Sequence, residues 1–387
     1  MHKGILVSLC VYSVLHATNF SEFLELAKSS NPELQNASVS VKQSYMDKQQ
    51  QLNYKNPTLE LGVSRFEPDI GTSELGPNIS ISQPVRLFGI ADDKEKYGNS
   101  KIDVLKSQEQ LSYAQFTYMI SLGYLKHIAV SKELELSKES NILAKKIYDI
   151  STAMYESGVI SRGEYLQTKV AYNTSKSALH ETNFQYKRNY YELLSSANIT
   201  EEIEVDLNHI FDLKNDKSLN PEIDFLNKNV LQEQNKVAVD SNVIEWMELS
   251  AEYESEPDED IYRIGLSIPL AVFNTNKELE QIAKLEVQKQ NTLVNAKRKQ
   301  VDFELGQLYH ELTELDVLKD GYIKLVQEEE ELLEMFEESY KIAKVNLLAL
   351  QKIKNSLINT KRNLLKAEML KQQNILKINY LQGAINE

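Results

Sequence analysis

The sequence predicts a mostly helical protein in which a unit of helix, β-hairpin, long helix and helix occurs twice. Its eight prolines lie at positions 32, 57, 68, 77, 84, 221, 257 and 269, which leaves two long proline-free stretches. Because an interior proline costs a helix about 3 kcal/mol, these stretches are suited to long helices. Shorter stretches of alternating apolar and polar residues, typical of strands, precede each of them.

The prolines also reveal the duplication. The segment Asn31–Leu34 (NPEL) returns 189 positions later as Asn220–Ile223 (NPEI), and Pro68 and Pro257 keep that spacing. Three further pairs are 185 positions apart: Pro84 and Pro269, Phe88 and Phe273, and Tyr155 and Tyr340. One deletion of four residues between Pro257 and Pro269 explains the change. Self-similarity at a fixed spacing indicates an internal repeat.

We expect residues 1–17 to be a signal peptide, because Lys3 precedes the apolar run Ile5–Leu15 and Ala17 offers a small residue for cleavage. A buried amphipathic first helix is the alternative. Lipid attachment at Cys10 is disfavoured by the large Leu9 before it. If Cys10 leaves with the leader, the rest of the chain has no cysteine and uses no disulfide or thiol chemistry.

The predicted first repeat spans residues 18–205, a polar connector 206–219, and the second repeat 220–387. We expect a first helix over 20–56, with a helix-start signal at Asn31-Pro32 inside it. A hairpin follows over 57–84, with an exposed loop at Glu67–Pro77 and a strand that ends at Pro84, and then long helices over 90–155 and 163–197. A short strand is expected at Ile203–Leu207. The second repeat is expected to hold a helix over 221–244, a hairpin over 246–270, and helices over 274–340 and 346–384. The late helices have heptad spacing typical of coiled coils, which an ordinary helical bundle core would explain equally well.

Alternation along the four strands sends apolar and polar side chains to opposite faces. The apolar set, predicted to face lipid, is Leu59, Leu61, Val63, Ile79, Ile81, Leu249, Tyr253, Tyr262, Ile264 and Leu266. The polar set, predicted to line a pore, is Glu60, Ser64, Ser80, Ser82, Glu248, Glu252, Glu254 and Arg263. In a pore, four glutamates against one arginine would favour cations. Simple solvation of a charged face is the alternative.

Strands of nine or ten residues suit a tilted crossing of a bilayer, and they equally suit half of a soluble sandwich. A two-stranded hairpin is barely stable alone, and the two hairpins are separated by a long stretch of helix. Four strands are also too few for a closed barrel. We therefore expect copies of the chain to complete it: three copies make twelve strands, whereas two make eight and leave little lumen.

Other classes of function lack support. The charge of -14 argues against binding nucleic acid. The six histidines show no metal-ligand spacing and no nucleophile partner, and glycine-rich phosphate loops are absent from the sequence. We therefore predict neither an enzyme nor a cofactor or metal site. The acidic run Glu328–Glu331 is interpreted as a solvated helix face.

The order of elements, the stretch SISQPVRLFG at 80–89 and the turn YESGVISRGEYLQTK at 155–169 resemble the outer-membrane efflux protein (TolC-like) family. The resemblance implies a homotrimer with a twelve-strand barrel in outer-membrane lipid and an α-helical tunnel in the periplasm. It also implies a passive exit duct of an efflux or type I secretion system, docked onto a periplasmic adaptor and an inner-membrane pump.

The resemblance places both helical turns at the tip that meets the adaptor. The expected contact residues are Tyr155, Gly158, Ser161 and Glu164 in the first turn and Tyr340, Ala343 and Asn346 in the second. In the second turn Ala343 replaces the glycine of the family pattern and Ala349 replaces its acid, so an acidic ring at the tip would depend on Glu164. The alternative function is a periplasmic coiled-coil scaffold or adaptor without a pore. The sequence does not identify the cargo.

Overall fold

The structure is a computed structural model that describes residues 18–67, 72–214 and 218–384. The predicted signal peptide and Cys10 lie outside these residues. The first half holds helices α1 (Phe20–Ser30) and α2 (Pro32–Leu52), strands β1 (Thr58–Phe66) and β2 (Glu74–Arg86), and helices α3 (Ile90–Glu156) and α4 (Arg162–Ser196). The second half holds α5 (Pro221–Ser241), β3 (Trp246–Ser255), β4 (Asp260–Ser267), α6 (Lys277–Lys341) and α7 (Leu347–Leu381).

The described elements confirm a mostly helical fold with four strands. The order of elements from α2 to α4 returns from α5 to α7 with matching helix lengths, whereas α1 has no counterpart among the described residues of the second half. Helices α2 and α5 each have 21 residues, α3 and α6 have 67 and 65, and α4 and α7 each have 35. Within the described residues, no helix carries an apolar run of the length that a bilayer crossing requires.

The single helix expected over 20–56 is wrong, since the chain forms two helices there. Asn31 separates them with an extended backbone (φ -86°, ψ 116°). Pro32 is the reason, because the residue before a proline is pushed out of the helical region and proline itself suits the first helical position. The related Asn220 caps α5, its side chain accepting hydrogen bonds from the N–H groups of Glu222 and Ile223.

Two expected strand ends also need correction. Strand β2 does not stop at Pro84 but continues to Arg86, and it already begins at Glu74, inside the predicted loop. Pairing with β1 ends at Ser82, so Pro84 lies where only one neighbouring strand remains and a missing N–H is tolerated. Strand β4 ends at Ser267 instead of Leu270. The short strand expected at Ile203–Leu207 is a single parallel bridge between Val205 and Thr18.

The chain divides into two compact units, and each unit draws on both halves of the sequence. The first comprises the described residues of Met1–Pro32, Tyr113–Ser218 and Asp302–Glu387. Its helices enclose a cluster of buried side chains around both helical turns: Ile147, Met154, Leu333, Tyr340, Leu347, Leu350 and Leu357. In the same unit Phe20 of α1 packs edge-on against Tyr124 of α3, with ring centroids 5.1 Å apart.

The second unit, Glu33–Ser112 and Leu219–Val301, holds the sheet, and Arg86 is a central residue in it. Its side chain is only 4% exposed. The guanidinium donates to the carbonyl oxygens of Leu52 (3.0 Å) and Gln51 (2.8 Å), which are among the last carbonyls of α2. It also pairs with Glu245 (3.2 Å) and lies 4.6 Å from the ring centroid of Trp246. One side chain thus joins β2, β3 and the end of α2, where helix carbonyls lack intrahelical partners.

We expect Arg86→Lys to destabilise the protein by about 1–3 kcal/mol, because an ammonium group cannot reproduce the planar fork that serves several acceptors at once. The melting temperature of the detergent-solubilised protein measures this loss. Arg65→Lys is the matched control on the same hairpin, since Arg65 is 64% exposed and, among the described residues, contacts the exposed Glu67 and Ser73. Equal melting temperatures for the two variants would contradict the assigned role.

Candidate functional site

The four strands form one antiparallel sheet in the order β1-β2-β3-β4. The hairpins, considered separately in the sequence argument, are joined within one chain through β2 and β3. Their pairing runs from Asn78 opposite Glu254 to Arg86 opposite Trp246. Strands β1 and β4 are therefore the two edges of the sheet.

The register gathers the apolar side chains of all four strands on one face. Leu61, Ile79, Tyr253 and Tyr262 form one row across the sheet. The next row consists of Leu59, Ile81, Ala251 and Ile264, and Leu249 lies opposite Leu266 beyond it. Val63 belongs to the same face by alternation along β1. The ten residues predicted to face lipid thus share one face of the sheet.

This apolar face is bare in the single chain. Ile264 is 93% exposed, Tyr262 76% and Leu61 72%, and of the ten residues only Tyr253 is half-buried. A contiguous apolar surface of this kind is rare on soluble monomers and marks a site of contact with a membrane or with another protein.

The opposite face carries the predicted polar set. One row is Glu60, Ser80, Glu252 and Arg263, and Ser82 and Ser64 lie on the same face by alternation. Arg263 pairs with Glu254 (2.8 Å) and Glu252 (3.3 Å), and Ser64 donates a hydrogen bond to Glu254 (3.1 Å). Glu60 and Glu248 form no ion pair among the described residues. The arginine thus offsets one of the two negative charges of Glu252 and Glu254, and Glu60 and Glu248 add two more to the face.

The two helical turns, both in the first unit, share one backbone geometry. In the turn between α3 and α4, the N–H of Gly158 bonds to the carbonyl of Tyr155 (3.0 Å), and that of Val159 bonds to Met154 (2.8 Å). In the turn between α6 and α7, Ala343 bonds to Tyr340 (3.0 Å) and Lys344 to Ser339 (2.9 Å). This pair of bonds is the Schellman arrangement that ends a helix.

The arrangement requires a left-handed residue at one position, and here the two turns differ. Gly158 has φ +77°, which glycine adopts freely, whereas Ala343 has φ +55°, where its Cβ is strained. After the turns, Ser161 and Asn346 cap α4 and α7 by accepting hydrogen bonds from the N–H groups of Glu164 and Ala349. The predicted turn residues are thus brought together in two separate groups.

Glu164 has a structural use that the sequence argument did not consider. Its carboxylate accepts hydrogen bonds from the N–H of Ser161 (2.9 Å) and from the Ser161 hydroxyl (3.0 Å), which completes a capping box. The side chain of Tyr340 is 2% exposed and lies 2.9 Å from the Ser151 hydroxyl, so it belongs to the interior of this unit rather than to its surface. Tyr155 is 40% exposed and stacks on Tyr165 (5.0 Å between centroids).

Arg86 and Glu245 were not among the residues predicted from the sequence, although Arg86 lies inside the stretch SISQPVRLFG at 80–89. A charged residue at the end of an alternating strand, just before a helix, is the one signal that could have indicated it. Its role depends on carbonyls more than 30 residues earlier in the chain.

No family model matches the sequence, and no curated protein matches it. The fold, in contrast, is that of outer-membrane channels. At this level of fold, the predicted TolC-like resemblance is confirmed.

Three solved structures illustrate the likeness. The outer membrane protein VceC from Vibrio cholerae has a TM-score of 0.77 at 14% identity, covering 94% of this chain and 95% of that one. The Campylobacter jejuni CmeC outer membrane channel has 0.75 at 14% identity, covering 94% and 85%. CusC, described as forming a transmembrane channel, has 0.78 at 12% identity, covering 94% and 91%. At such low identity the likeness shows the fold alone.

We expect Ala343→Gly and Gly158→Ala to change stability in opposite directions. Relief of the left-handed strain should stabilise the second turn by about 0.5–1 kcal/mol after the extra chain entropy of glycine is counted, and the reverse change should cost the first turn about 1 kcal/mol. Nothing lies within 4 Å of a Cβ placed at Gly158, so backbone strain is the sole cost there. Melting temperatures of both variants measure the effect, and a shift of the same sign in both would contradict the geometry.

Proposed function

We propose that this chain is one subunit of an outer-membrane channel, a passive exit duct in which three copies close a twelve-strand barrel that helices continue into the periplasm. The observation that supports it most strongly is the four-stranded sheet with one bare apolar face and two open edges. The fold shared with outer-membrane channels supports it independently.

The two edges argue for closure by further copies. Each edge strand presents a row of backbone N–H and C=O groups on its outer side, and in hydrocarbon such groups find no water. A closed barrel satisfies every one of them. Eight strands, from two copies, enclose a space that side chains fill, whereas twelve, from three copies, leave an open lumen.

In this proposal the apolar face meets lipid and the polar face lines the pore. Glu60 and Glu248, which have no cationic partner among the described residues, supply the negative field and make the pore favour cations. The scaffold alternative leaves the exposed Ile264 and Tyr262 without an apolar phase to contact, so no observation favours it.

The helical turns are the proposed contact with a periplasmic adaptor, which in turn links the channel to an inner-membrane pump. Exposed apolar side chains flank both turns: Val159 (54%), Ile342 (61%) and Leu348 (76%). Because Tyr340 is buried, the residues proposed to make the contact at the second turn are Ala343, Asn346, Ile342 and Leu348. Cargo is selected by the pump, so the channel itself needs no specific binding pocket.

We expect Ile79→Arg to prevent stable insertion, because an arginine facing lipid at mid-membrane costs about 2–4 kcal/mol for each copy. The adjacent Ser80→Arg is the matched control, since Ser80 lies on the polar face between Glu60 and Glu252. The fraction retained in membranes after carbonate extraction, followed by the size of the detergent-solubilised particle, measures both.

Equal retention of the two variants would contradict the assignment of the faces. Release of the unmodified protein by carbonate or high salt would overturn the channel proposal altogether and indicate a peripheral scaffold.

In planar bilayers we expect cation-selective conductance that weakens in the double variant Glu60→Gln/Glu248→Gln, because the remaining glutamates of the face share Arg263. The reversal potential in a salt gradient measures the change. Glu25→Gln, which removes an exposed carboxylate of α1, should leave it unaltered. Persistent absence of conductance in the unmodified protein would count against the pore.

A further inference from the structure

The residue pairs of the first hairpin correspond to those of the second, so residues of one hairpin can be matched with residues of the other. Pairing within the first hairpin ends at Thr58 opposite Ser82, and within the second at Glu248 opposite Ser267. The sequences agree with this match, because Ile79–Ser82 (ISIS) corresponds to Ile264–Ser267 (IGLS). Strand β4 is thus the counterpart of β2, and β1 is the counterpart of β3.

The counterparts β2 and β4 differ in the strand that lies on their outer side. The outer side of β2 is covered by β3, whose pairing keeps Gln83–Arg86 in the strand. The corresponding segment 268–271, outside the named strands, begins directly after the end of β4. Its side chains Ile268 and Leu270 are 47% and 83% exposed. The outer side of β4 therefore lacks the partner that its counterpart has.

We propose that β1 of a second copy of this chain occupies the outer edge of β4, in the register that β3 adopts on β2. The inference rests on the proposed function and makes it specific. Ile81 lies opposite Ala251 within the chain, so the matched pair between subunits is Leu266 opposite Leu61 of the partner subunit. Ser82 lies opposite Ser250, so Ser267 lies opposite Glu60 of the partner subunit.

The chemistry of the resulting pairs supports this register. Ile264 meets Val63 of the partner subunit on the apolar face, and Arg263 meets Ser64 of the partner subunit on the polar face. A slip by one residue would place apolar side chains against polar ones, because the side-chain period of a strand is two. A slip by two preserves the faces and is therefore the alternative that an experiment must separate.

The register also assigns a partner to the chain beyond β4. Ile268 falls opposite Leu59 of the partner subunit, so the strand is expected to lengthen on assembly, as β2 does beside β3. Backbone groups on the outer side of β4 then enter the ladder, as the hydrocarbon environment requires.

Disulfide trapping tests the register in the full-length chain, in which Cys10 is the sole cysteine. The test variants are Leu61→Cys/Leu266→Cys and Glu60→Cys/Ser267→Cys. These pairs are adjacent in the ladder, so one of them has the closer spacing of a non-hydrogen-bonded pair. Leu61→Cys/Ile264→Cys and Leu61→Cys/Ile268→Cys represent slips of two residues. Single-cysteine variants control for disulfides through Cys10.

The chain also offers matched positive controls. Ile81→Cys/Ala251→Cys and Ser82→Cys/Ser250→Cys are the counterparts of the two test pairs inside one subunit, and thiol alkylation with mass measurement reports their oxidation. One of these control pairs lies on the apolar face and one on the polar face. The test pair on the same face as the control pair that forms its disulfide more completely should also cross-link better between subunits. Non-reducing gels should then show covalent dimers and trimers at least about fivefold more abundant than for the slipped pairs, because opposite Cβ atoms lie about 5 Å apart and diagonal ones 7–8 Å.

Preferential cross-linking of a slipped pair would overturn the proposed register. So would the absence of cross-links between subunits while the within-chain controls oxidise. If the protein nevertheless extracts as a conducting trimer in either case, the proposed function stands and only the register fails. A protein that stays monomeric and non-conducting would contradict both.

Discussion

Unpaired backbone groups at the two edges of the sheet are the constraint on which the rest of this structure depends. A strand whose outer N–H and C=O groups face water is tolerable, but the same strand beside hydrocarbon is not. Strands β1 and β4 have such open edges, and the sheet they bound has a face on which Ile264, Tyr262 and Leu61 are largely exposed. In the proposed barrel, these open edges and this exposed face are the parts of the subunit that further copies and lipid would complete.

The sheet is held to its helices by few but well-satisfied polar contacts. Arg86 is nearly fully buried, and its hydrogen bonds reach the carbonyl end of α2 and the carboxylate of Glu245. Lys94, which belongs to α3, pairs with the same carboxylate at a distance of 2.7 Å. These contacts thus connect strand β2 to helices α2 and α3 at the point where the two-residue side-chain period of a strand gives way to the period of a helix. At such a point neither pattern of apolar residues stabilises the chain by itself.

Much of this could be predicted from sequence because the signals were local. Proline spacing indicated the long helices, alternation indicated the strand faces, and Gly158 with Ser161 indicated the first turn. The errors came from non-local effects. Whether β2 ends at Pro84 depends on β3, which lies more than 150 residues away, and in the proposed register the extension of β4 to Leu270 requires a strand of a second copy.

The candidate site shows the same division. Alternation assigned the ten apolar residues to one face, and the register agrees. It could not show that Arg263 shares its charge between Glu252 and Glu254, since that pairing joins adjacent strands through side chains of particular reach. Burial of Tyr340 was equally inaccessible, because its position in the repeat matches the half-exposed Tyr155 and only packing distinguishes them.

The unlike left-handed residues of the two turns have a consequence for symmetry. Duplication preserved the path of the backbone while Gly158 and Ala343, and likewise Glu164 and Ala349, diverged in chemistry. In the proposed assembly of three subunits, six bends of nearly the same shape would alternate between two compositions, one bearing a carboxylate and one without it. A binding protein that recognises shape would encounter six equivalent positions, whereas one that recognises charge would encounter only three.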